Sequence, residues 1–211
     1  DGVRVEKPSA SLAFDVPILA EPAYPYVSRG GVKLAFALDA FGLSVEGCTA
    51  LDVGASTGGF CDVLLKRGAA RVYAVDTGHG QLHPSIASDQ RIVSFEGTDA
   101  RALTRGKIVD PVNLITIDVS FISLTLVLEA ALSLAALHAW LVALIKPQFE
   151  AGRDHVKRGG IVRDDAVQRD VCERIAAHVE TLRWTVKGIL PSPITGGDGN
   201  QEFLLAAERG T

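Results

Sequence analysis

Four charged side chains stand at the margins of apolar segments, where an unpaired charge is costly. Asp118 closes the run NLITID and Lys146 follows AWLVALI, while Lys33 lies in SRGGVKL and Glu202 in GNQEFLL. Two lysines and two carboxylates can neutralise one another there. Amines and carboxylates held together can also move a proton. Taken singly, Lys33 and Glu202 are more typical of surface charges, so the prediction of a reactive site depends on the whole set.

A glycine-rich stretch predicts a site for a nucleotide-like ligand. In LDVGASTGGF a strand pattern runs into glycines and then into a helix pattern, so the backbone can approach a ligand beside a helix N-terminus. The dinucleotide fingerprint G-x-G-x-x-G is absent, because Ser56 stands where its second glycine would be. A plain tight turn is the alternative. The residues expected to line the ligand are Gly54, Ala55, Ser56, Thr57, Gly58, Gly59 and Phe60.

Two further acids follow the next strand patterns. Asp76 ends the second strand, where doubly wound folds place a carboxylate that accepts hydrogen bonds from ribose hydroxyls. Asp99 follows the third strand, close to where an adenine amino group would need an acceptor. Either acid alone is more typical of a helix cap or a solvated loop. Together with the glycines they favour a site for an adenosine-containing cofactor.

The elements that must position these residues form an α/β pattern. Short β-branched runs alternate with helical periodicity, which predicts a mostly parallel sheet covered by helices on both faces. The predicted strands are 49–55, 70–76, 91–97, 113–119, 139–145, 185–194 and 201–209. The predicted helices lie within 26–43, 57–68, 123–137 and 163–184. Residues 150–165 contain two adjacent glycines and few large apolar side chains, which predicts a mobile loop.

The bulk composition limits the classes of function. The 211 residues suit one domain, and a formal charge of −4 argues against nucleic-acid binding by uniform basicity. Cys48, Cys61 and Cys172 form no C-x-x-C pair, so we expect neither a disulfide framework nor a metal site, as fits a reducing cytoplasm. The apolar stretch 119–145 is interrupted by Glu129, so we expect buried core rather than a membrane span.

The motifs resemble those of the TlyA, or haemolysin-like, family within the FtsJ-type ribose 2′-O-methyltransferases. SRGGVKL, LDVGASTGGF, IDVSFISL, LIKPQFE and GNQEFLL occur in the family's order, and the resemblance runs from about residue 24 to the C-terminus. It implies the Rossmann-like class I methyltransferase fold, S-adenosylmethionine as methyl donor and ribosomal RNA, free or in ribosomal subunits, as substrate. It also implies a catalytic tetrad of Lys33, Asp118, Lys146 and Glu202.

The implied reaction explains those residue types. A ribose hydroxyl must lose its proton while it attacks the methyl group, so a positioned base is useful. We hypothesise that Lys146 is that base, because burial and the charge of Lys33 both favour its neutral amine. Asp118 and Glu202 would then orient the two amines, and alignment alone would contribute to the rate.

The chain departs from the family's usual pattern at its N-terminus. Members usually carry a small RNA-binding module before the methyltransferase domain, and residues 1–23 hold only a short tail ahead of the domain predicted at 24–211. Binding of RNA therefore falls to a local basic strip. The candidates are Arg153, Lys157, Arg158 and Arg163, extended by Arg29. A loop whose charges only keep it hydrated is the alternative.

Three other functions remain open at this point. A non-catalytic RNA-binding or ribosome-assembly protein would keep the cofactor pocket without turnover, although an intact tetrad argues against it. The haemolysin name suggests a membrane-active protein, but neither a long span nor a basic amphipathic helix is visible. A dinucleotide-dependent oxidoreductase is weakened by Ser56, and calorimetry with S-adenosylmethionine against nicotinamide cofactors separates the two.

Overall fold

Seven strands form a single sheet. The computed structural model describes residues 24–157 and 159–210, together with Ser11 and Asp15; the rest of the predicted tail at 1–23 lies outside the described residues. The sheet order is β3-β2-β1-β4-β5-β7-β6, with β7 antiparallel to both neighbours and the other pairs parallel. The prediction of a mostly parallel seven-stranded sheet is confirmed. The strands are β1 Thr49–Val53, β2 Arg71–Val75, β3 Ile92–Phe95, β4 Val112–Ile117, β5 Ala135–Ile145, β6 Thr185–Pro191 and β7 Phe203–Arg209.

Helices cover both faces of this sheet. One apolar core lies between the sheet and the first two helices, and a second lies on the opposite face under α4 and α6. No helix among the described residues is long and apolar enough to cross a membrane. The helices are α1 Gly30–Ala40, α2 Gly59–Lys66, α3 Pro84–Ala87, α4 Thr125–Leu132, α5 Pro147–Glu150 and α6 Asp165–Thr181, with 3₁₀ turns at Ala100–Ala102 and Arg153–His155.

Helix α6 forms as its sequence predicts. The Asp164 carboxylate accepts a hydrogen bond from the backbone amide of Ala166 at 2.9 Å and so caps the first turn. Val171, Ile175 and Val179 are buried along one stripe that faces the sheet. Arg174, in the middle of this helix, donates a hydrogen bond to the backbone oxygen of Glu150 at 3.1 Å, so α6 also contacts the segment that follows β5.

The predicted helix over 123–137 is wrong in its second half. Helix α4 ends at Leu132, and β5 begins at Ala135 rather than at 139. Val112 pairs with Ala135 but Leu114 pairs with Trp140, so the residues between them bulge out of the ladder. An unbroken aliphatic run satisfies both helical and strand periodicity, so the sequence could not place this boundary.

The segment predicted as a mobile loop, 150–165, carries local structure. It contains a 3₁₀ turn, a bridge between Lys157 and Ile161, and the start of α6. The buried Asn200 side chain anchors it, because Asn200 Oδ1 accepts from Val162 N and Asn200 Nδ2 donates to Gly160 O, both at 2.9 Å. A polar anchor from a distant segment replaces the large apolar side chains that this stretch lacks.

Candidate active site

The carboxyl ends of β4 and β5 bring Asp118 and Lys146 together. Lys146 Nζ lies 2.6 Å from Asp118 Oδ1 and donates a hydrogen bond to Ser120 Oγ at 2.8 Å. The approach to Asp118 Oδ1 is not aligned for a hydrogen bond, and this buried oxygen receives none from any other described residue. Pro147 opens the short helix α5 directly after Lys146, which ends the strand and leaves the amine at the sheet edge.

The other two predicted residues form a second, deeper ion pair. Lys33, on α1, places its Nζ 2.5 Å from Glu202 Oε2, and the two residues are only 6% and 3% exposed. Glu202 stands directly before β7, where Phe203 pairs with Ile145. That register sets Glu202 beside Lys146 in the neighbouring strand. The structure thus brings all four predicted residues to one edge as two adjacent cation–carboxylate pairs.

The pairing changes the part assigned to Lys33. The sequence hypothesis placed its positive charge near Lys146 as a reason for a neutral Lys146 amine. In the structure Glu202 neutralises that charge at contact distance, so Lys33 acts on Lys146 far less than a free cation would. The ion pair instead fixes α1 against the end of β7.

The glycine loop folds into a tight turn between β1 and α2. Gly54, Ser56 and Gly58 all have positive φ angles, of 87°, 47° and 91°. A side chain at Gly54 would meet the backbone oxygen of Asp118 at 2.3 Å, so only glycine fits there. A single backbone contact, between Gly54 and Asp118, therefore joins the predicted cofactor loop to the tetrad.

The predicted cofactor residues in this loop divide by exposure. Ser56 and Thr57 are exposed at the sheet edge. The side chains of Ala55 and Phe60 are buried in the core, and the backbone at Gly59 lies close to the Ser28 hydroxyl. Ala55 and Phe60 can therefore offer a ligand only their backbone atoms, whereas Ser56 and Thr57 can also offer hydroxyls.

Asp76 joins the glycine loop to the loop that follows β2. Its carboxylate accepts hydrogen bonds from Ser56 N at 2.8 Å and from Gly78 N at 2.7 Å. Glu96, which the sequence analysis missed, accepts from the amides of Gly80 and Gln81, both at 2.9 Å. These amides hold the pKa of Glu96 below its usual value. The two carboxylates fix the wall of the predicted ribose site through backbone donors.

Asp99 is occupied by a local partner. It caps the 3₁₀ turn that follows β3 by accepting from Arg101 N at 2.9 Å, and it forms an ion pair with the Arg101 guanidinium at 2.5 Å. The Arg101 side chain lowers the pKa of Asp99 to about 2. The cap alternative describes this geometry, and the adenine-side role of Asp99 stays a prediction.

Asp52 is a buried carboxyl inside the same edge. It is fully buried on β1 and accepts hydrogen bonds from Thr116 Oγ1 at 2.9 Å and from Cys61 Sγ at 3.0 Å. Burial raises the pKa of Asp52 to about 7, although these two donors oppose the shift. The sequence shows an acid at this position, but only the packing shows that no cation among the described residues lies beside it.

Phe121 is the most exposed aromatic side chain in the described residues. It is 91% exposed with a φ of 65°, and its ring lies 5.1 Å from the Phe149 ring, centroid to centroid. Its neighbour Ser120 binds the Lys146 amine. No sequence pattern predicted that this phenylalanine, in an apolar segment, would face solvent.

The predicted basic strip is only partly described. Lys157 and Arg163 are exposed, and an Arg29 guanidinium nitrogen donates to the backbone oxygen of Thr195. The Arg153 side chain and all of Arg158 lie outside the described residues. Arg29 thus holds the loop before Glu202, which is a structural use that the sequence did not predict.

The sheet order, the glycine loop and the acids at successive strand ends define a Rossmann-like methyltransferase. A family of sequences described as FtsJ-like methyltransferases matches residues 26–209. The 16S/23S rRNA (cytidine-2′-O)-methyltransferase TlyA of Mycobacterium tuberculosis is 42% identical over 97% of this chain and 77% of that protein. The chain belongs to the FtsJ-like methyltransferase family, and its resemblance to the TlyA group is confirmed.

Solved structures share this fold. A protein described as a hemolysin, from Streptococcus thermophilus, superposes with a TM-score of 0.86 at 44% identity, covering 90% of this chain and 70% of that one. Magnesium protoporphyrin IX methyltransferase from Synechocystis PCC 6803, with bound SAH, superposes with a TM-score of 0.58 at 14% identity, covering 85% and 82%. The second likeness shows the fold alone.

Proposed function

We propose that this protein is an S-adenosylmethionine-dependent ribose 2′-O-methyltransferase that acts on ribosomal RNA. The observation that carries the proposal is the pair of ion pairs, Lys146 with Asp118 and Lys33 with Glu202, beside the glycine loop at one sheet edge. A relative that shares 42% of its residues over nearly the whole chain is an rRNA (cytidine-2′-O)-methyltransferase. Family and geometry therefore favour the same reaction.

The residues at the sheet edge fit an adenosylmethionine cofactor. Gly54 lets the backbone at Asp118 lie directly against the glycine loop, and Asp76 stands at the end of β2 with its carboxylate oriented by two amides. Asp118 Oδ1 is buried and makes no aligned hydrogen bond, although Lys146 Nζ lies 2.6 Å away, so it can accept a hydrogen bond from a ligand. When bound, the cofactor supplies an electrophilic methyl group attached to a sulfonium.

In the proposed reaction, the protein aligns the ribose and takes up its proton. A bound cofactor would supply the methyl group to the 2′ oxygen, and Lys146 Nζ, once it has lost the proton that makes it the cation of the ion pair, would take up the hydroxyl proton. Asp118 and Ser120 hold the Lys146 amine in place for this transfer. The Lys33–Glu202 pair lies beside this group and fixes the neighbouring wall of the site. Because these side chains are held in place, alignment of the ribose contributes much of the rate.

We propose two kinds of contact with the RNA. The Phe121 ring stands in solvent next to the Lys146 group, and exposed aromatic rings bind RNA by stacking on unpaired bases. The exposed Lys157 and Arg163 lie on the segment that Asn200 anchors, and Asn200 comes shortly before Glu202 in the chain. From there the two basic side chains can bind RNA phosphates. Phe121 would position the target nucleotide, and the basic residues would hold its backbone.

Methyl transfer to ribosomal subunits tests the proposed function. Labelled S-adenosylmethionine and separated subunits from a strain lacking the enzyme are incubated with the protein, and the product is mapped for 2′-O-methyl ribose. We expect label at a discrete ribose of ribosomal RNA. Label on a base, or no transfer to either subunit, would contradict the proposal.

The role of Lys146 is tested separately. Lys146→Ala removes the proton acceptor, so we expect kcat at saturating donor and RNA to fall by about 100-fold or more, the range typical for loss of a general base. Lys107→Ala, which removes an exposed lysine away from the edge, is the matched control and should retain wild-type kcat. Wild-type kcat in Lys146→Ala would disprove the base assignment.

A further inference from the structure

The backbone conformation of the turn at Phe121 must be fixed by residues outside the turn. Phe121 has a left-handed φ of 65°, a conformation that costs a non-glycine residue on the order of 1 kcal/mol or more. Its ring is 91% exposed, so burial of the ring contributes little to keeping it there. Backbone of this kind persists only where neighbouring groups fix it. The question is which group does so.

Glu150 contacts the turn through both carboxylate oxygens. Glu150 Oε2 accepts from Ser123 Oγ at 2.6 Å, and Oε1 accepts from Leu124 N at 2.7 Å. Leu124 is the N-cap of α4 and has no polar side chain of its own to cap that helix. The Glu150 carboxylate, from the KPQFE segment, satisfies the amide of this N-cap residue and interacts favourably with the positive end of the α4 dipole, while Ser123 Oγ accepts from Thr125 N at 3.2 Å.

Glu150 is itself anchored from the opposite side. Its backbone oxygen accepts from an Arg174 guanidinium nitrogen on α6 at 3.1 Å, and it ends the four-residue helix that begins directly after Lys146. Burial raises the pKa of Glu150, which the two donors and the nearby Arg174 and His178 only partly offset. A partly buried carboxylate with two donors in place is costly to move.

Two links thus join the segment after β4 to the segment after β5. Near the strands, Lys146 binds Asp118 and Ser120. One helical turn later, Glu150 binds Ser123 and Leu124. Phe121 lies between the two links, and its ring also contacts Phe149, the residue before Glu150. The second link fixes the far side of the turn, which the tetrad does not reach.

We propose that Glu150 is a positioning residue for the RNA substrate: by holding Ser123 and Leu124 it keeps the Phe121 ring where it meets an RNA base. Glu150 touches neither the RNA nor the cofactor in this role. The proposal rests on the proposed function, in which Phe121 stacks on the target nucleotide. It adds a residue whose own position gives no hint of contact with substrate.

Steady-state kinetics on ribosomal subunits test the proposal. Glu150→Ala should raise KM for the RNA about fivefold to tenfold, with kcat changed less than about threefold, because stacking contributes to binding while Lys146 and Asp118 stay held by their strands. Ser123→Ala, which removes the bond to Glu150 Oε2 together with the Ser123 Oγ contacts to Thr125 but keeps the Leu124 bond, should give a smaller rise. Glu150→Gln keeps an acceptor for Leu124 N and should restore wild-type KM. Glu180→Ala, an exposed glutamate on α6, is the matched control.

A double-mutant cycle separates positioning from general loss of stability. Phe121→Ala should raise KM about tenfold, and adding Glu150→Ala to it should raise KM no further, because the ring that Glu150 positions is gone. Full additivity in this cycle, or an unchanged KM in Glu150→Ala, would overturn the proposal.

Hydrogen exchange gives a readout that does not depend on RNA. In the free protein, Glu150→Ala should speed exchange of the Leu124 amide, whose described acceptor is Glu150. Wild-type protein that transfers no methyl group to RNA would contradict the proposed function alone. Unchanged Leu124 exchange in Glu150→Ala would contradict the positioning role whatever the substrate.

Discussion

The Lys33–Glu202 pair, to which we assign a part in catalysis, carries a cost in stability. Both groups are almost fully buried, and removing two charges from water costs free energy that their attraction repays only in part. An apolar pair of similar volume would fill the same space without that cost. This cost supports the proposed catalytic role of the pair.

This reasoning predicts opposite outcomes for stability and activity. Lys33→Met or Glu202→Met alone leaves one buried charge unpaired and should lower the free energy of unfolding by about 3 to 5 kcal/mol. In urea unfolding, the double variant Lys33→Met/Glu202→Met should recover most of that loss. It should still transfer no methyl group, because two residues of the tetrad are missing. A double variant as unstable as the sum of the two single changes would show that the pair itself stabilises the fold.

At the scale of elements, the turn between β1 and α2 brings the predicted cofactor residues against the predicted tetrad. Gly54 combines a φ of 87° with a clash-free approach to the backbone oxygen of Asp118. Gly42 has a similar φ of 65° but no neighbour within 4 Å of an added Cβ. A comparison of substitutions at Gly42 and Gly54 therefore separates the effect of backbone strain from that of steric contact.

Alanine at these two positions should differ in effect. Gly42→Ala carries only the strain of left-handed backbone and should cost about 1 to 2 kcal/mol of unfolding free energy. Gly54→Ala adds a clash with rigid backbone, so it should cost more and should also weaken binding of S-adenosylmethionine at least tenfold by calorimetry. Equal losses for the two variants, with unchanged cofactor affinity, would refute the contact between loop and tetrad.

The sequence predicts strands and their ends better than it predicts what lies between them. Asp118, Lys146 and Glu202 are placed correctly because polar residues at the ends of apolar runs must emerge at a sheet edge. The end of α4 is not, because an unbroken aliphatic run has no period that distinguishes helix from strand. Phe121 and Glu150 depend on a turn held by tertiary contacts, which no local pattern encodes.

Over the whole molecule, the predicted cofactor site and the tetrad lie on different halves of the sheet, and the halves meet between β1 and β4. The predicted cofactor residues follow β1, β2 and β3, while the tetrad lies at β4, β5, the start of β7 and α1. Asp52 lies inside this junction, and the charges of Asp118 and Asp76 disfavour its ionised form. The reactive edge thus carries a buried carboxyl with no described cation beside it.

Asp52 should make the stability of the protein depend on pH. Because burial raises its pKa in the folded state from 3.8 to about 7, the folded protein binds more protons than the unfolded chain between those values, so stability falls as pH rises through this window. Asp52→Asn removes the titration, and its amide can donate to Thr116 Oγ1 while that hydroxyl turns to Leu51 O. Relative to this variant, wild-type protein should lose unfolding free energy on the order of 4 kcal/mol between pH 4 and pH 8 in urea titrations. If the difference in unfolding free energy between wild type and Asp52→Asn stays constant with pH, the prediction is wrong. Asp52 would then be ionised in the folded protein, and a group between the predicted cofactor site and the tetrad would pair with its charge.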